Sequence, residues 1–438
     1  MNRYILKAIL IIVDIFTLIG IFYCTVYLRS SLNDLTISHF EELLLNDFSF
    51  VIVIIMGLLY YERIYNFHFD FWQETYKIIK AFSIGFVLVL SVLALTQTNL
   101  EYSRMFIVIY FVLGIILLPV SKRIIKRVLY SFDFFKRKTL VIGDANQVKI
   151  FQNEFIKNWY IGQKYTEKNY DSVIITSKGR SAEEINKTII KYMSLTKELY
   201  VIPYMQDINF AHSNIMEYSN IRYNTIQIEN KLLVQSNILI KTIFDKMMVV
   251  LVSPLFLLIH FAIVGVIKND SKGKVFFKQK RLGKNNINFN CYKYRTMYEN
   301  SQDILKKYLE ENPDEVEYYE VYHKYKNDPR ITKVGKFLRA TSLDELAQMI
   351  NVFRGDMSLV GPRPYMINES EKLGKNKQFI LKVKPGITGL WQVSGRNKLT
   401  FKERNELEIW YIKNWSLWAD FVIVMKTIKV VLLKVGAR

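Results

Sequence analysis

The chain has 438 residues, half of them hydrophobic and 14% aromatic, and a formal charge of +20. This composition excludes a purely soluble protein and leaves room for two or three domains, while the charge alone fits nucleic acid, anionic lipid or a phosphorylated substrate equally well. The two cysteines, Cys24 inside an apolar run and Cys291 far away in a different kind of segment, exclude a disulfide framework and a cysteine-built metal site and put the soluble parts in the cytoplasm.

Four segments at the amino end, 5–28, 48–60, 78–95 and 105–120, are apolar over lengths near the roughly 20 residues that cross a bilayer. They are expected to be transmembrane helices. The first is too long for a signal peptide, lacks a small-residue cleavage site and is followed by three more spans. Arg3 and Lys7 precede the first span, Arg63, Lys77 and Lys80 lie between the second and third, and Lys122, Arg123, Lys126 and Arg127 follow the fourth. The loop 30–47 instead carries Asp34, Glu41, Glu42 and Asp47, so both ends of the bundle belong on the cytoplasmic side. Asp14, within the first span, reads either as a functional ionisable group or as one paired near the cytoplasmic edge.

Beyond Lys138 the stretches TLVIGDA (139–145), DSVIIT (171–176) and LYVIP (199–203) alternate with helix-like segments at 147–159 and 182–195, the pattern of a small parallel sheet. Gly143 stands in the first turn without the further glycines of a dinucleotide fingerprint. A Rossmann-like domain used for assembly or regulation is therefore favoured over a nucleotide site. A fifth apolar run, 247–267, contains Ser253 and Pro254 and has basic residues on both flanks, Lys241 and Lys246 before it and Lys268, Lys272, Lys274, Lys278, Lys280 and Arg281 after it. A crossing helix is one reading. The charge bias favours a segment that dips in and turns back at Ser253-Pro254, with the serine hydroxyl satisfying a carbonyl that proline frees. His260 then lies at the interface or in packing.

Residues 340–364 read ATSLDELAQMINVFRGDMSLVGPRP. Ser342 and Glu345 have the spacing of a capping box, and Leu346, Met349, Ile350 and Phe353 recur at helical spacing. Asp344 then falls in the first turn, where a carboxylate either just complements the helix dipole or is held ionised beside a phosphate.

Around it stand FKQKRLG (277–283), FNCYKYRTM (289–297), DPRITKVG (328–335), FLRATSLDE (337–345), KPGITGLWQVSGR (384–396) and NWSLWAD (414–420). This ordered set closely resembles the bacterial sugar transferase family, the polyprenol-phosphate phosphoglycosyltransferases that begin O-antigen, capsule and exopolysaccharide assembly. The resemblance runs from about residue 241 to the end, and the preceding layout looks like the large form of the family. It implies transfer of hexose-1-phosphate from a UDP-sugar to undecaprenyl phosphate, with release of UMP, through a covalent intermediate. The family's Asp-Glu pair matches Asp344, the implied nucleophile on the sugar-linked phosphorus, and Glu345, which would orient it or help manage a proton or metal. Arg363, stiffened between Pro362 and Pro364, is the leading phosphate contact, with Arg295, Arg339, Arg281 and Arg330 as further candidates against a reading as surface charges. A metal is expected to be Mg²⁺, held by Asp344 and substrate oxygens.

One departure is Ala347, where many members have proline, which relaxes the first turn without removing a reacting group. The polar insert 301–326 has no assigned role. Trp410, Tyr411, Trp415 and Trp418 ahead of the apolar 421–433 fit a helix lying on the membrane, with an ordinary amphipathic core helix as the alternative. The expected fold is thus membrane α plus α/β: a four-helix bundle (1–125), a cytosolic Rossmann-like domain (126–228) and a catalytic domain (229–438) with a re-entrant helix at 241–268 and interfacial helices. The bacterial inner membrane, with the catalytic domain on the cytoplasmic face, is the expected location. UDP-sugar, undecaprenyl phosphate and membrane lipids are the expected partners, without nucleic acid, and a homodimer suits the large form. A non-catalytic scaffold for polysaccharide export leaves the Asp-Glu and GPRP motifs unexplained, and a nucleotide-sugar oxidoreductase lacks its glycine fingerprint.

Overall fold

The computed structural model describes residues 2–33, 45–66, 68–95, 104–193, 195–196, 198–203, 215–218, 223–226, 231–312, 314–315, 325, 328–396 and 399–432. The chain divides into two compact units, Met1–Met205 and Gln206–Arg438.

In the first unit the apolar runs form α1 (Asn2–Asn33), α2 (Leu45–Tyr61), α3 (Phe71–Leu95) and α4 (Arg104–Leu129). Of these, α1, α3 and α4 are long and apolar enough to cross a membrane, and α2 is a shorter apolar helix of 17 residues. The acidic residues Asp34, Glu41 and Glu42 lie outside the described residues. The four helices share one core, in which Phe22, Phe48, Phe106 and Tyr110 meet edge to face or tilted. Gly114 of α4 lets the Phe82 ring lie against the helix, since a Cβ there would fall 2.0 Å from that ring.

Asp14 is paired: Lys122 Nζ lies 2.7 Å from its Oδ2 and the Tyr65 hydroxyl donates to the same oxygen at 2.5 Å. The α/β part follows, with β1 (Arg137–Ile142), α5 (Ala145–Lys157), β2 (Gln163–Tyr165), β3 (Ser172–Thr176), α6 (Ala182–Met193) and β4 (Leu199–Ile202). Its strands make an all-parallel sheet in the order β2-β1-β3-β4. Asp144 caps α5 by accepting from the Gln147 N–H at 2.7 Å, and the Gln147 side chain meets the Thr176 hydroxyl at 2.5 Å. These two side chains occupy the turn beside Gly143, where a Cβ would fall 2.2 Å from Thr176 Oγ1.

The second unit contains a short hairpin of β5 (Ile215–Tyr218) and β6 (Tyr223–Ile226), then α7, an unbroken helix of 36 residues over Gln235–Asp270. The expected interruption at Ser253 and Pro254 takes the form of a proline inside a continuous helix. Proline deprives the Val250 carbonyl of its helical donor, and the Ser253 hydroxyl supplies one at 2.7 Å. Long and apolar enough to cross a membrane, α7 is buried along one narrow stripe, with Met247, Leu251, Leu258 and Phe261 exposed. His260 packs, stacking on Phe276 at 5.7 Å with its Nδ1 2.7 Å from the Tyr294 hydroxyl.

An antiparallel hairpin, β7 (Phe276–Leu282) and β8 (Asn288–Tyr294), and a parallel pair, β9 (Ser358–Val360) and β10 (Gly386–Thr388), build the rest with short helices. Gly361 and Gly386 touch backbone to backbone: a Cβ on Gly386 would fall 2.1 Å from the Gly361 nitrogen. The insert begins as α8 (Ser301–Glu311), while 316–324 lie outside the described residues. Asp420, fully buried, accepts from Lys241 Nζ at 2.6 Å, the Tyr411 hydroxyl at 2.7 Å and Trp415 Nε1 at 2.9 Å. Tyr411 and Trp415 are thus core residues, a correction to their place in a membrane-facing aromatic belt, and the polar ends of their rings are spent on a buried carboxylate. The helix Leu417–Leu432 still exposes Met425 and Ile428.

Candidate active site

The helix Lys333–Thr341 is capped at its start by Thr332, whose hydroxyl accepts from the Gly335 N–H at 2.9 Å. Gly335 lies against the Thr296 carbonyl, 2.1 Å from where a Cβ would sit. The helix ends at Ser342, in the left-handed region with φ 59° and ψ 16°. The capping box expected at Ser342 and Glu345 does not form, because an N-cap needs extended backbone and Ser342 is spent terminating the preceding helix. A 3₁₀ turn, Leu343–Gln348, follows and runs into the helix Met349–Arg354. Ala347, fully buried, sits in that turn. Asn351 ties this segment to β8, accepting from the Tyr292 N–H at 3.0 Å and donating to the Asn290 carbonyl at 2.8 Å.

The result is a cavity of about 890 Å³ lined by Asp344, Glu345, Lys293, Arg281, Arg295, Arg339 and Arg363 among others. Of the residues the sequence singled out, Asp344, Glu345, Arg281, Arg295, Arg339 and Arg363 come together here and Arg330 does not. Arg330 instead grips Asp328, through Nε at 2.7 Å and a terminal nitrogen at 2.6 Å. Arg295 spends its guanidinium on the end of α7, donating to the carbonyls of Lys272 and Ser271, both at 2.7 Å. Arg339 rests its Nε on Thr296 Oγ1 at 2.9 Å. Arg281 donates to the Pro364 carbonyl at 3.2 Å and so braces the loop that carries Arg363. The Arg363 guanidinium faces Glu369 at 3.5 Å.

Asp344 stands in the first turn of that 3₁₀ segment. Burial pushes its carboxyl up to about 6, with Lys293 pulling it down, Glu345 pushing it up and Arg339 pulling it down. At neutral pH it is still mostly a carboxylate. Glu345 accepts from Lys293 Nζ at 2.6 Å, an ion pair set beside the acid. Lys293 is a site residue that the sequence reading missed, although its place two residues before Arg295 at the end of β8 put both on one side of the extended chain. Glu408 was missed as well. It is buried beneath the GPRP loop and accepts from the Arg363 backbone N–H at 2.7 Å. Among the described residues no group of three His, Cys, Asp or Glu side chains is placed to hold a metal ion.

The part of the chain that holds this site is similar to known proteins. The bacterial sugar transferase family model matches residues 236–434. The undecaprenyl-phosphate galactose phosphotransferase of Salmonella typhimurium is 32% identical over 408 residues, covering 86% of this chain and 84% of that protein. This chain belongs to the bacterial sugar transferase family. The galactosyl transferase CpsE of Streptococcus agalactiae is 30% identical over 433 residues, covering 90% of this chain and 94% of its own length. A UDP-glucose:undecaprenyl-phosphate glucose-1-phosphate transferase of Klebsiella pneumoniae is 39% identical over 194 residues, or 42% of this chain and 38% of that one. The sugar transferase described here is accordingly an enzyme, and its apolar helices make it a membrane protein.

Proposed function

We propose that this sugar transferase moves hexose-1-phosphate from a UDP-sugar to undecaprenyl phosphate, at the first membrane step of a surface polysaccharide. The observation that carries the reading is a half-buried carboxylate, Asp344, in a cavity whose walls include Lys293, Arg339, Arg281 and Arg363. The volume suits a nucleotide sugar, since ligand sites run to roughly 300–1,000 Å³. An Asp344 carboxylate oxygen attacks the sugar-linked phosphorus, the phosphorus–oxygen bond to UMP breaks, and UMP leaves with that electron pair. An oxygen of undecaprenyl phosphate then attacks the same phosphorus and releases the carboxylate unchanged. Arg363 and Arg339 neutralise charge on the pyrophosphate as its bond breaks, and the Glu345–Lys293 pair orients Asp344.

A Mg²⁺ ion fits this donor set, because it keeps most of its waters and takes one or two carboxylates plus substrate phosphates. Asp344 is the residue to hold it, Glu345 being engaged by Lys293, and such an ion supplies charge neutralisation at the pyrophosphate. On this reading the proline inside the continuous helix α7 acts as a kink rather than a break and brings the helix back to the cytoplasmic side of the leaflet it enters, the bundle crosses the inner membrane, and the α/β part is a Rossmann-like cytosolic domain. The exposed apolar side of α7 and the basic residues on both its flanks support that topology.

The purified chain is expected to turn over UDP-sugar to UMP only with undecaprenyl phosphate present, and a donor screen with UDP-galactose and UDP-glucose reads the hexose. Steady turnover in the absence of the lipid, or none with any UDP-sugar, removes the proposal; the latter is the outcome a scaffold would give. Cysteines placed near Lys241 and Lys272 are both expected to be shielded from an impermeant thiol reagent in intact cells. Labelling of one alone means that α7 crosses.

A further inference from the structure

The GPRP loop carries Arg363 into the cavity, and what holds it is a buried carboxyl on the helix Phe401–Lys413. Glu408 is 2% exposed, its Oε1 accepts from the Arg363 backbone N–H at 2.7 Å, and its Oε2 meets the Tyr365 hydroxyl. No cation lies within ion-pair distance of it among the described residues. The neighbouring charges are engaged elsewhere: the Arg363 guanidinium faces Glu369 at 3.5 Å, and Arg404 donates Nε to the Leu399 carbonyl at 3.1 Å while covering the Trp391 ring. An ionised carboxylate so buried and unpaired is costly, whereas a neutral one is not.

The proton inventory agrees. The Tyr365 hydroxyl has one hydrogen and two acceptors at hydrogen-bonding distance, Asn405 Oδ1 at 2.7 Å and Glu408 Oε2. If Glu408 carries a proton, it donates to the tyrosine oxygen, the tyrosine donates to Asn405, and every group in the chain is satisfied.

We propose that Glu408 is a positioning residue for Arg363 that works as a neutral carboxylic acid, so that binding of the anionic donor is coupled to retention of one buried proton. Burial pushes this carboxyl up to about 7, with Tyr365, the Arg363 backbone, and the charges of Arg363 and Arg404 opposing. When the proton leaves, the new buried charge draws the Arg363 guanidinium away from the cavity, although the bond from the Arg363 backbone N–H is kept.

The proposal rests on the reading of the cavity as a nucleotide-sugar site only for its binding arm. The full chain in detergent is expected to show an infrared carbonyl stretch from a protonated carboxyl that is lost in Glu408→Gln and kept in Asp344→Asn, a readout that needs no substrate or turnover. UDP-sugar affinity is expected to fall as pH rises from about 6 to about 8, by at most tenfold per pH unit for one coupled proton. Glu408→Gln, which mimics the neutral acid, is expected to flatten that dependence while keeping the affinity measured near pH 6. Glu408→Ala is expected to lose affinity at every pH. A band absent from the wild type, or unchanged in Glu408→Gln, overturns the proposal and assigns the second tyrosine contact to an Asn405 amide turned the other way. Equal loss of affinity in the Gln and Ala variants also overturns it. Failure of every variant and of the wild type to bind any UDP-sugar, with the band present, instead overturns the function proposed above and leaves the neutral acid standing.

Discussion

Among the groups of acids and lysines in the described residues, two are built to opposite ends. In the helix bundle, Asp14 and Glu74 face Lys122 and Lys126: Lys122 lies 2.7 Å from Asp14 and 3.7 Å from Glu74, and Lys126 lies 2.5 Å from Glu74. Tyr65 and Tyr160 complete the set, the latter donating to Glu74 at 2.6 Å from the turn after α5. Two negative charges meet two positive ones, all nearly inaccessible. Around Asp344 the acid is half-buried, the surrounding cations outnumber the carboxylates, and the whole opens on a cavity. A closed, balanced set gains nothing from a ligand, whereas an unbalanced one is completed by an anion. Low dielectric strengthens both, and what separates structure from chemistry is whether the charge inventory closes without a substrate.

The largest expected effect breaks the open set. Asp344→Asn is isosteric and leaves the cavity shape intact, so UMP release is expected to drop by about 10³-fold or more, as for loss of a covalent nucleophile. A loss of less than about tenfold would transfer the role to another group. Next comes the closed set. Lys122→Met leaves Asp14 buried without its nearest cation, and thermal unfolding of the solubilised chain is expected to show a loss of about 3–5 kcal/mol, the typical cost of breaking a buried pair. An unchanged midpoint would mean that the bundle hydrates this site. The contrast is sharpest if each variant leaves the other's readout alone.

Much of this was legible in the sequence because it rests on periodicity and motif order. Apolar runs announced the helices, alternating β-branched stretches announced the parallel sheet, and the ordered motifs brought Asp344, Arg339 and Arg363 to one cavity. What stayed hidden depends on competition between local and tertiary demands. Ser342 has the spacing of a cap, yet the preceding helix needs a left-handed terminator at that position. The partners of Arg330 and Arg295 did not show locally either: one guanidinium meets Asp328 and the other the Ser271 carbonyl just past α7. At Pro254 the expected serine repair of the freed carbonyl is present, and what did not show locally is that the helix runs on through it. Glu408 carries no local signal, since its partners are 45 and 43 residues away in sequence.

A smaller effect tests geometry at constant charge. Arg363→Lys keeps the cation but loses the planar fork that grips two oxygens, and its expected cost is about 1.5–3 kcal/mol in kcat/KM for the UDP-sugar, the range of a hydrogen bond to a charged group. Full activity in the lysine variant would reduce Arg363 to a general positive charge.

The smallest effect is a shift along the pH axis. Catalysis needs the Asp344 carboxylate, so kcat/KM is expected to fall as pH drops through about 6, where burial has set this group. Lys293 opposes that burial, and removing its charge raises the carboxyl further; the acid limb of Lys293→Gln is therefore expected to move to higher pH, with a lower maximum because the pair that orients Asp344 is lost. Stability runs the other way. A carboxyl raised in the folded state binds its proton before the unfolded chain does, so between about 6 and the ordinary carboxylate range this group's contribution to folding improves on acidification while activity declines. A limb that stays in place in Lys293→Gln would show that Lys293 does not act on the group that sets the profile.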